Sequence, residues 1–322
     1  MKVSSPSLSR ILIVAISAAL LASCGGSDGG GGQAQTGFLK VGITDAPVDM
    51  AAGVVVKFTG VELKPQGGSA FSIDFAMPKS LDLIQLQGED RALLLDGEEI
   101  PSGEYEWMRL KVEADPNVAG DSYLQLEQGG AECEMRIPSG DQTGLKLIRG
   151  FTIGAGTTTD FTIDFDLRKS IVAPPGQTTI VNTCNNQAFM LKPVLRIVDN
   201  LQVGTIAGDV DPNLIAVRCA GSDQDPYPGN VYLFGPIPAG ANVTPDDYDD
   251  DGDALTSAMV HPDTFRYTIG FVPAGNYRVA YTCDLDDTEI DEDVTFTPSE
   301  GIAVTVTPNA TQEVDFVMST TR

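Results

Sequence analysis

Apolar and polar positions alternate in short runs along most of the chain, and turn residues separate the runs. Leu39, Val41 and Ile43 fall on one side of an extended segment, as do Val54, Val56 and Phe58. Met108, Leu110 and Val112 alternate with Trp107, Arg109 and Lys111. Phe161, Ile163, Phe165 and Leu167 alternate with Thr162, Asp164 and Asp166, which predicts a strand with one face buried and one face wet. Further strands are predicted from Ile215, Val217 and Cys219, from Val231 and Leu233, and from Tyr277, Val279, Tyr281 and Cys283. Ile302, Val304 and Val306, then Val314, Phe316 and Met318, predict a closing hairpin around Pro308 and Asn309. Helical periodicity is weak, and only Leu81 to Leu95 is expected to hold a short helix. The expected fold class is therefore all-β, as two antiparallel β-sandwich domains of residues 37–200 and 201–322. Each is long enough to bury its own core. An internal echo joins them. Pro101-Ser102-Gly103-Glu104-Tyr105 leads into one strand and Pro273-Ala274-Gly275-Asn276-Tyr277 into another, with Pro and Gly setting a turn and the tyrosine hydroxyl expected to cap the sandwich end.

The front of the chain has a different pattern. Lys2 and Arg10 precede an apolar run from Ile11 to Leu21, too short to span a bilayer as a helix and suited to an export signal. Leu21-Ala22-Ser23-Cys24 closes that run. This tetrapeptide resembles the lipobox of bacterial lipoproteins, which implies removal of residues 1–23 and acylation of Cys24. Gly25 and Gly26 follow where that family uses an aspartate for inner-membrane retention, which implies the outer membrane. The competing reading is an ordinary cleaved signal with a free Cys24. Residues 24–36 are Gly-rich and read as a flexible tether. Burial of each acyl methylene is worth about 0.8 kcal/mol, so several chains on Cys24 would make the membrane a lasting partner.

Charge narrows the possible partners. The chain carries 20 basic and 45 acidic residues, and residues 201–322 alone carry 4 basic and 21 acidic. Phosphate backbones would be repelled, so nucleic acid is not expected as a partner. Cations, basic protein surfaces, envelope proteins and glycans are compatible with this balance. Setting Cys24 aside leaves Cys133, Cys184, Cys219 and Cys283, an even set in an exported chain. Pairing Cys133 with Cys184 and Cys219 with Cys283 keeps each disulfide inside one domain. Metal ligation by these cysteines competes poorly, because none has C-x-x-C spacing and no histidine lies nearby.

Five separated stretches resemble a bacterial family called domain of unknown function 4382. They are Leu39 to Asp49, Pro101 to Val112, Ile137 to Leu147, Phe161 to Val172 and Leu191 to Val198. The resemblance implies an exported, often lipid-anchored β-sandwich and carries over no catalytic residue. The second domain resembles carboxypeptidase-regulatory-like, transthyretin-like and carbohydrate-binding-like sandwiches through its P-x-G-x-Y turn and strand pattern.

Candidate chemistry is concentrated in the acidic runs. Asp247, Asp249, Asp251 and Asp253 alternate around Gly252 as in the start of a calcium loop. The twelfth position counted from Asp247 is Ala258, so a complete EF-hand is excluded. Asp284, Asp286 and Asp287 are the expected completing ligands, with calcium the one cofactor considered; a solvated acidic surface is the alternative. His261 is the only histidine and reads as a surface residue, which leaves no Ser-His-Asp arrangement. Gly140 to Lys146 lacks phosphate-loop spacing, and Asp45 to Asp49 reads as a turn after the first strand. Tyr105 and Trp107 are a candidate ligand face for sugar stacking, with strand packing as the competing reading. No catalytic residue is marked, and no enzyme is expected. The expected role is a non-catalytic, lipid-anchored envelope protein with a binding, adhesive or structural function. A carbohydrate-binding module and a periplasmic assembly factor are the alternatives.

Overall fold

In a computed structural model of the chain, the described residues are 35–46, 51–115, 118, 120–126, 132–137, 144–172, 188–192, 194–220, 228–241, 243–246, 254–284 and 294–318. Residues from Ala34 onward form one compact unit. Its first lobe runs through β1 (Thr36–Ala46), β2 (Gly53–Pro65), β3 (Phe71–Asp82), a 3-10 turn (Leu83–Gln85), β4 (Ala92–Pro101) and β5 (Gly103–Glu113). It continues with β6 (Tyr123–Gln125), β7 (Glu132–Arg136), β8 (Leu145–Leu147), β9 (Phe151–Ile153) and β10 (Thr158–Asp166). Helix α1 (Leu167–Ser170), β11 (Ile171–Val172), β12 (Phe189–Leu191) and β13 (Leu195–Asp199) complete it. The second lobe holds β14 (Val203–Asp209), α2 (Pro212–Arg218), β15 (Asn230–Phe234), β16 (Ala254–Met259), β17 (Arg266–Pro273), β18 (Gly275–Thr282), β19 (Thr297–Val306) and β20 (Thr311–Glu313).

Each lobe has two sheets. In the first, the order β13-β10-β1-β4 faces a larger sheet, β11-β12-β7-β6-β2-β5-β8, with β3 on β2 and β9 on β5. In the second, β17-β14-β20 faces β16-β15-β18-β19. Leu39, Val41 and Ile43 of β1 share the first core with Val56, Phe58 and Leu110, and this core runs in sequence from Leu39 to Ile197. The second core draws on residues from Ile206 to Phe316. The alternation within β2 changes phase between Phe58 and Val61 because the ladder shifts at Gly60. A Cβ on Gly60 would sit 2.6 Å from the Ile73 carbonyl oxygen, so only glycine lets β3 approach there.

The tyrosine echo is present in both lobes. Tyr105 donates its hydroxyl to the Pro101 carbonyl and Tyr277 donates to the Pro273 carbonyl, both at 2.8 Å. Each ring is buried, so the hydroxyl reaches back over its own turn and satisfies a carbonyl at the sandwich end. Tyr277→Phe should lower stability by about 1 kcal/mol, the worth of one such bond. Urea unfolding of the full chain would check this; an unchanged midpoint would show that the bond contributes nothing.

Several elements differ from the sequence expectation. Pairing is antiparallel-rich, but β1 with β10, β12 with β7 and β14 with β20 run parallel. Ile215, Val217 and Cys219 belong to α2 and its C-cap. Asp211 accepts from the Asn213 amide and Pro212 fixes the first turn, so a helix starts where apolar spacing alone suggested a strand. The Leu81–Leu95 stretch is the end of β3, a single 3-10 turn and the start of β4. No closing hairpin forms: β19 pairs with β18, and the chain then crosses so that β20 pairs with β14 in the opposite sheet. Finally, β10 is buried on both faces. Its supposed wet face, Thr162, Asp164 and Asp166, is covered where the second lobe packs on the first.

Candidate functional site, a polar seam between the lobes

β10 lies between β1 and β13, so its acidic residues form a row on one face of a central strand. Each is answered by a neighbour. Arg91 holds Asp160 with two bonds at 2.8 and 2.9 Å, and Asn200 donates to the same carboxylate at 2.9 Å. Arg196, opposite on β13, pairs with Asp164. Asp166 N-caps α1 by accepting from the Lys169 amide at 3.2 Å. Lys169 in turn reaches the second lobe and donates to the Ala254 carbonyl at 3.2 Å. Arg168 lies over the Tyr232 ring at 5.4 Å, and Tyr232 and Phe234 also pack on Phe296, so β15 is buried on both faces. Thr205 donates to Glu89 at 2.7 Å elsewhere along the seam.

Two clefts open along this seam on either side of Asp164. The first, about 180 Å³, is lined by Thr44, Asp45 and Asp164 from the first lobe and by Ser257, His261 and Arg266 from the second, among others. The other, about 260 Å³, lies between Asp166, Lys169 and Arg196 on one side and Ala254 on the other. A glycine pair closes the seam beside the first cleft. A Cβ on Gly270 would stand 2.1 Å from the Gly88 carbonyl oxygen, so the two backbones meet in a way that no side chain at Gly270 would permit.

Electrostatics single out Asp45. Burial raises its carboxyl well above the usual carboxylate range, Asp164 and Asp166 push it further, and the Leu167 backbone amide acts the other way. Burial likewise moves Asp166 up to about 6, opposed by Lys169. Unfolded aspartates ionise near pH 3.9. A carboxyl raised by folding contributes stability that is fully present below that value and is lost as pH rises through its folded-state pKa. Asp45→Asn should therefore match the native chain at about pH 4 and exceed it in stability at about pH 8. Thermal melts of both proteins across that range would measure the difference, and a constant gap would rule out Asp45 as the titrating group. Asp96, lowered by Lys40, and Asp211, lowered by the Asn213 backbone and side-chain N–H groups, act in the opposite sense in both proteins and cancel in the comparison.

Comparison with family models matches residues 36–193 to the family described as domain of unknown function (DUF4382). This stretch of the chain carries that domain. The DUF4382 domain thus supplies β1, β10 and the acidic row, while the second side of the seam lies beyond it. The family description names no activity. No curated protein matches the chain. Among solved structures, the TIE protein of Bacillus anthracis matches at TM-score 0.20 and 8% identity, over 88% of this chain and 34% of that one. The minor pilin of Streptococcus agalactiae matches at 0.18 and 11%, over 86% and 94%. A fimbrial protein from Bacteroides ovatus matches at 0.21 and 9%, over 88% and 49%. The chain spans 34% and 26% of the first two matched structures, and at such TM-scores the likeness carries no argument.

The candidate residues fall in different places. Within the DUF4382 domain, Tyr105 and Trp107 do not share a face. A register shift between Lys64 and Pro65 turns Tyr105 into the core, stacked on Phe151 at 5.1 Å, while Trp107 stays half-buried outside. Tyr105 is therefore not part of a ligand face. The Trp107 ring is already approached by Arg109 at 4.9 Å and Lys146 at 4.5 Å, which occupy positions a sugar would need. Cys219 and Cys283 form a disulfide with Cα atoms 5.2 Å apart. Cys133 is disulfide-bonded, and Cys184 lies outside the described residues. Asp247, Asp249, Asp251, Asp253, Asp286, Asp287 and Cys24 also lie outside them. Asp284 is exposed and accepts from the Thr295 amide at 2.7 Å. Among the described residues no three His, Cys, Asp or Glu side chains are grouped to hold a metal ion. His261 is exposed at the cleft rim, its Nδ1 accepting from the Asp263 and Thr264 amides at 3.2 and 3.3 Å. The sequence reading missed the seam, although Asp164 and Asp166 alternating with large apolar residues was its visible trace.

Proposed function

We propose that the chain is a non-catalytic, lipid-anchored protein of the cell envelope with a binding or adhesive role, held at the outer membrane through Cys24. The observation that carries this reading is Leu21-Ala22-Ser23-Cys24 at the end of an apolar leader, followed by a Gly-rich tether that ends where a strand-built body begins at Thr36. A flexible tether of that kind lets a rigid body reach partners away from the lipid surface. The acidic runs at 247–253 and 284–293 belong to the same reading as calcium-stiffened loops, since alternating carboxylates supply the oxygens a hard cation takes. Calcium titration of the full chain tests that part: binding that Asp249→Asn weakens supports it, and no binding at millimolar calcium sinks it. For the anchor, cells producing the full chain are fractionated beside cells producing Cys24→Ser. The native chain should stay with membranes through a salt wash and the variant should be released. Equal release of both would reject the anchor. Protease treatment of intact cells separates display outside the cell from a periplasmic face, and a protected chain would reject the adhesive role.

A further inference from the structure

The cleft on the Thr44 side of Asp164 contains two buried polar side chains with no partner. No hydrogen bond of ordinary geometry reaches either carboxylate oxygen of Asp45 or the hydroxyl of Ser257, the Leu167 amide acting on Asp45 less than its burial does, and all three atoms are closed to water. Asp45 is 5% exposed and Ser257 3%, and they come from opposite sides of the seam, β1 and β16. An unmade bond of this kind costs about 1–3 kcal/mol, and folded proteins keep few of them. Three other polar groups lining the cleft are already engaged. Thr44 donates to the Leu86 and Asp90 carbonyls, both at 2.8 Å, and Asp164 is paired with Arg196. Arg266 is held at Glu313 and Asp209. Asp45 and Ser257 are left without a partner, and a cationic donor would answer both once the Asp45 carboxyl ionises.

We propose that this cleft binds an alkylammonium group, whose N–H donors are shared between the Asp45 carboxylate and the Ser257 hydroxyl. A volume of about 180 Å³ leaves room for a short aliphatic stem above them. Because the polar atoms of neither group are open to water, both side chains turn toward the void to meet the ligand. A calcium ion fits less well. It takes six to eight oxygens, and no group of three carboxylates is brought together here among the described residues. Binding sets a proton balance: the protonated Asp45 carboxyl loses its proton to solvent, and the ammonium keeps all of its own. Affinity therefore rises with pH. The charged groups around Asp45 are Asp164 and Asp166 on β10, Asp82 on β3, Arg196 on β13, Lys169 on α1, and His261 and Arg266 from the second lobe.

This inference rests on the chain being a binding protein and is independent of the anchor, which can fail on its own in the fractionation above. The test is calorimetry on the full chain in detergent at about pH 8, where Asp45 gives up its proton most readily. The probes are n-butylamine, Nα-acetyl-lysine methylamide and calcium chloride. Millimolar amine binding with proton release is expected, weakened about tenfold by D45N and by S257A while the circular dichroism spectrum is kept. Binding of both amines identifies a lysine side chain as a sufficient ligand; binding of butylamine alone identifies a small free amine, and both support the site. No saturable amine heat, equal affinity in both variants, or a response to calcium alone would overturn it.

Discussion

Loss of the Cys219–Cys283 disulfide, by Cys219→Ser, should destabilise the second lobe by about 4 kcal/mol, the loop-closure entropy released to the unfolded chain. The two cysteines are separated by 64 positions, and the segment between them contains β15, β16, β17 and β18, most of the sheet framework of that lobe. The bond ties the C-cap of α2 to the end of β18. The Tyr281 hydroxyl donates to the Pro228 carbonyl at 2.7 Å and stands 3.0 to 3.2 Å from both sulfurs, so the bridge also anchors a buried polar contact. The chain has a single tryptophan, Trp107, which lies in the first lobe. Circular dichroism should therefore show an early transition in the variant that tryptophan fluorescence misses. Coincident transitions would mean that the lobes unfold together, and an unmoved midpoint in both signals would show that the disulfide contributes nothing.

The second large effect is expected at the seam. Arg196→Leu should destabilise the fold by about 3–5 kcal/mol, because it leaves the Asp164 carboxylate buried without its partner. Asp164 is 7% exposed, so the stranded carboxylate stays largely out of bulk water. The paired variant Asp164→Asn with Arg196→Leu should recover part of the loss, since it removes the stranded charge as well. Denaturant unfolding of both singles and the double gives the coupling energy. Additive losses would show that the two side chains do not depend on each other. Asp160 and Arg91 form a more exposed pair two turns of the pleat away, and their removal should matter less.

Strand faces were legible in the sequence wherever one face meets a core and the other meets water. Leu39, Val41 and Ile43, or Met108, Leu110 and Val112, are buried as their alternation predicts. The tyrosine turns were legible for a different reason: Pro, Gly and Tyr at fixed offsets specify a local bond that needs no distant partner. The reading failed where tertiary context decides. Asp164 and Asp166 look like a wet face until Arg196, Lys169 and β16 cover them. Trp107 was separated from Tyr105 by a ladder shift that leaves no mark in the alternation of either strand alone. Asp211 and Pro212 mark the start of α2, a local cap signal that the apolar spacing of Ile215, Val217 and Cys219 does not carry. The cleft was invisible because its two unpartnered groups, Asp45 and Ser257, stand far apart in the chain and come to line one cleft only when the lobes pack.

The intact mass of the mature chain, purified from cell membranes, bears most directly on what the protein is for. A chain that begins at Cys24, lacks residues 1–23 and carries acyl mass on that cysteine is the predicted result. A mature chain with an unmodified Cys24, or one that retains the leader in the cytosol with its thiols reduced, would contradict it.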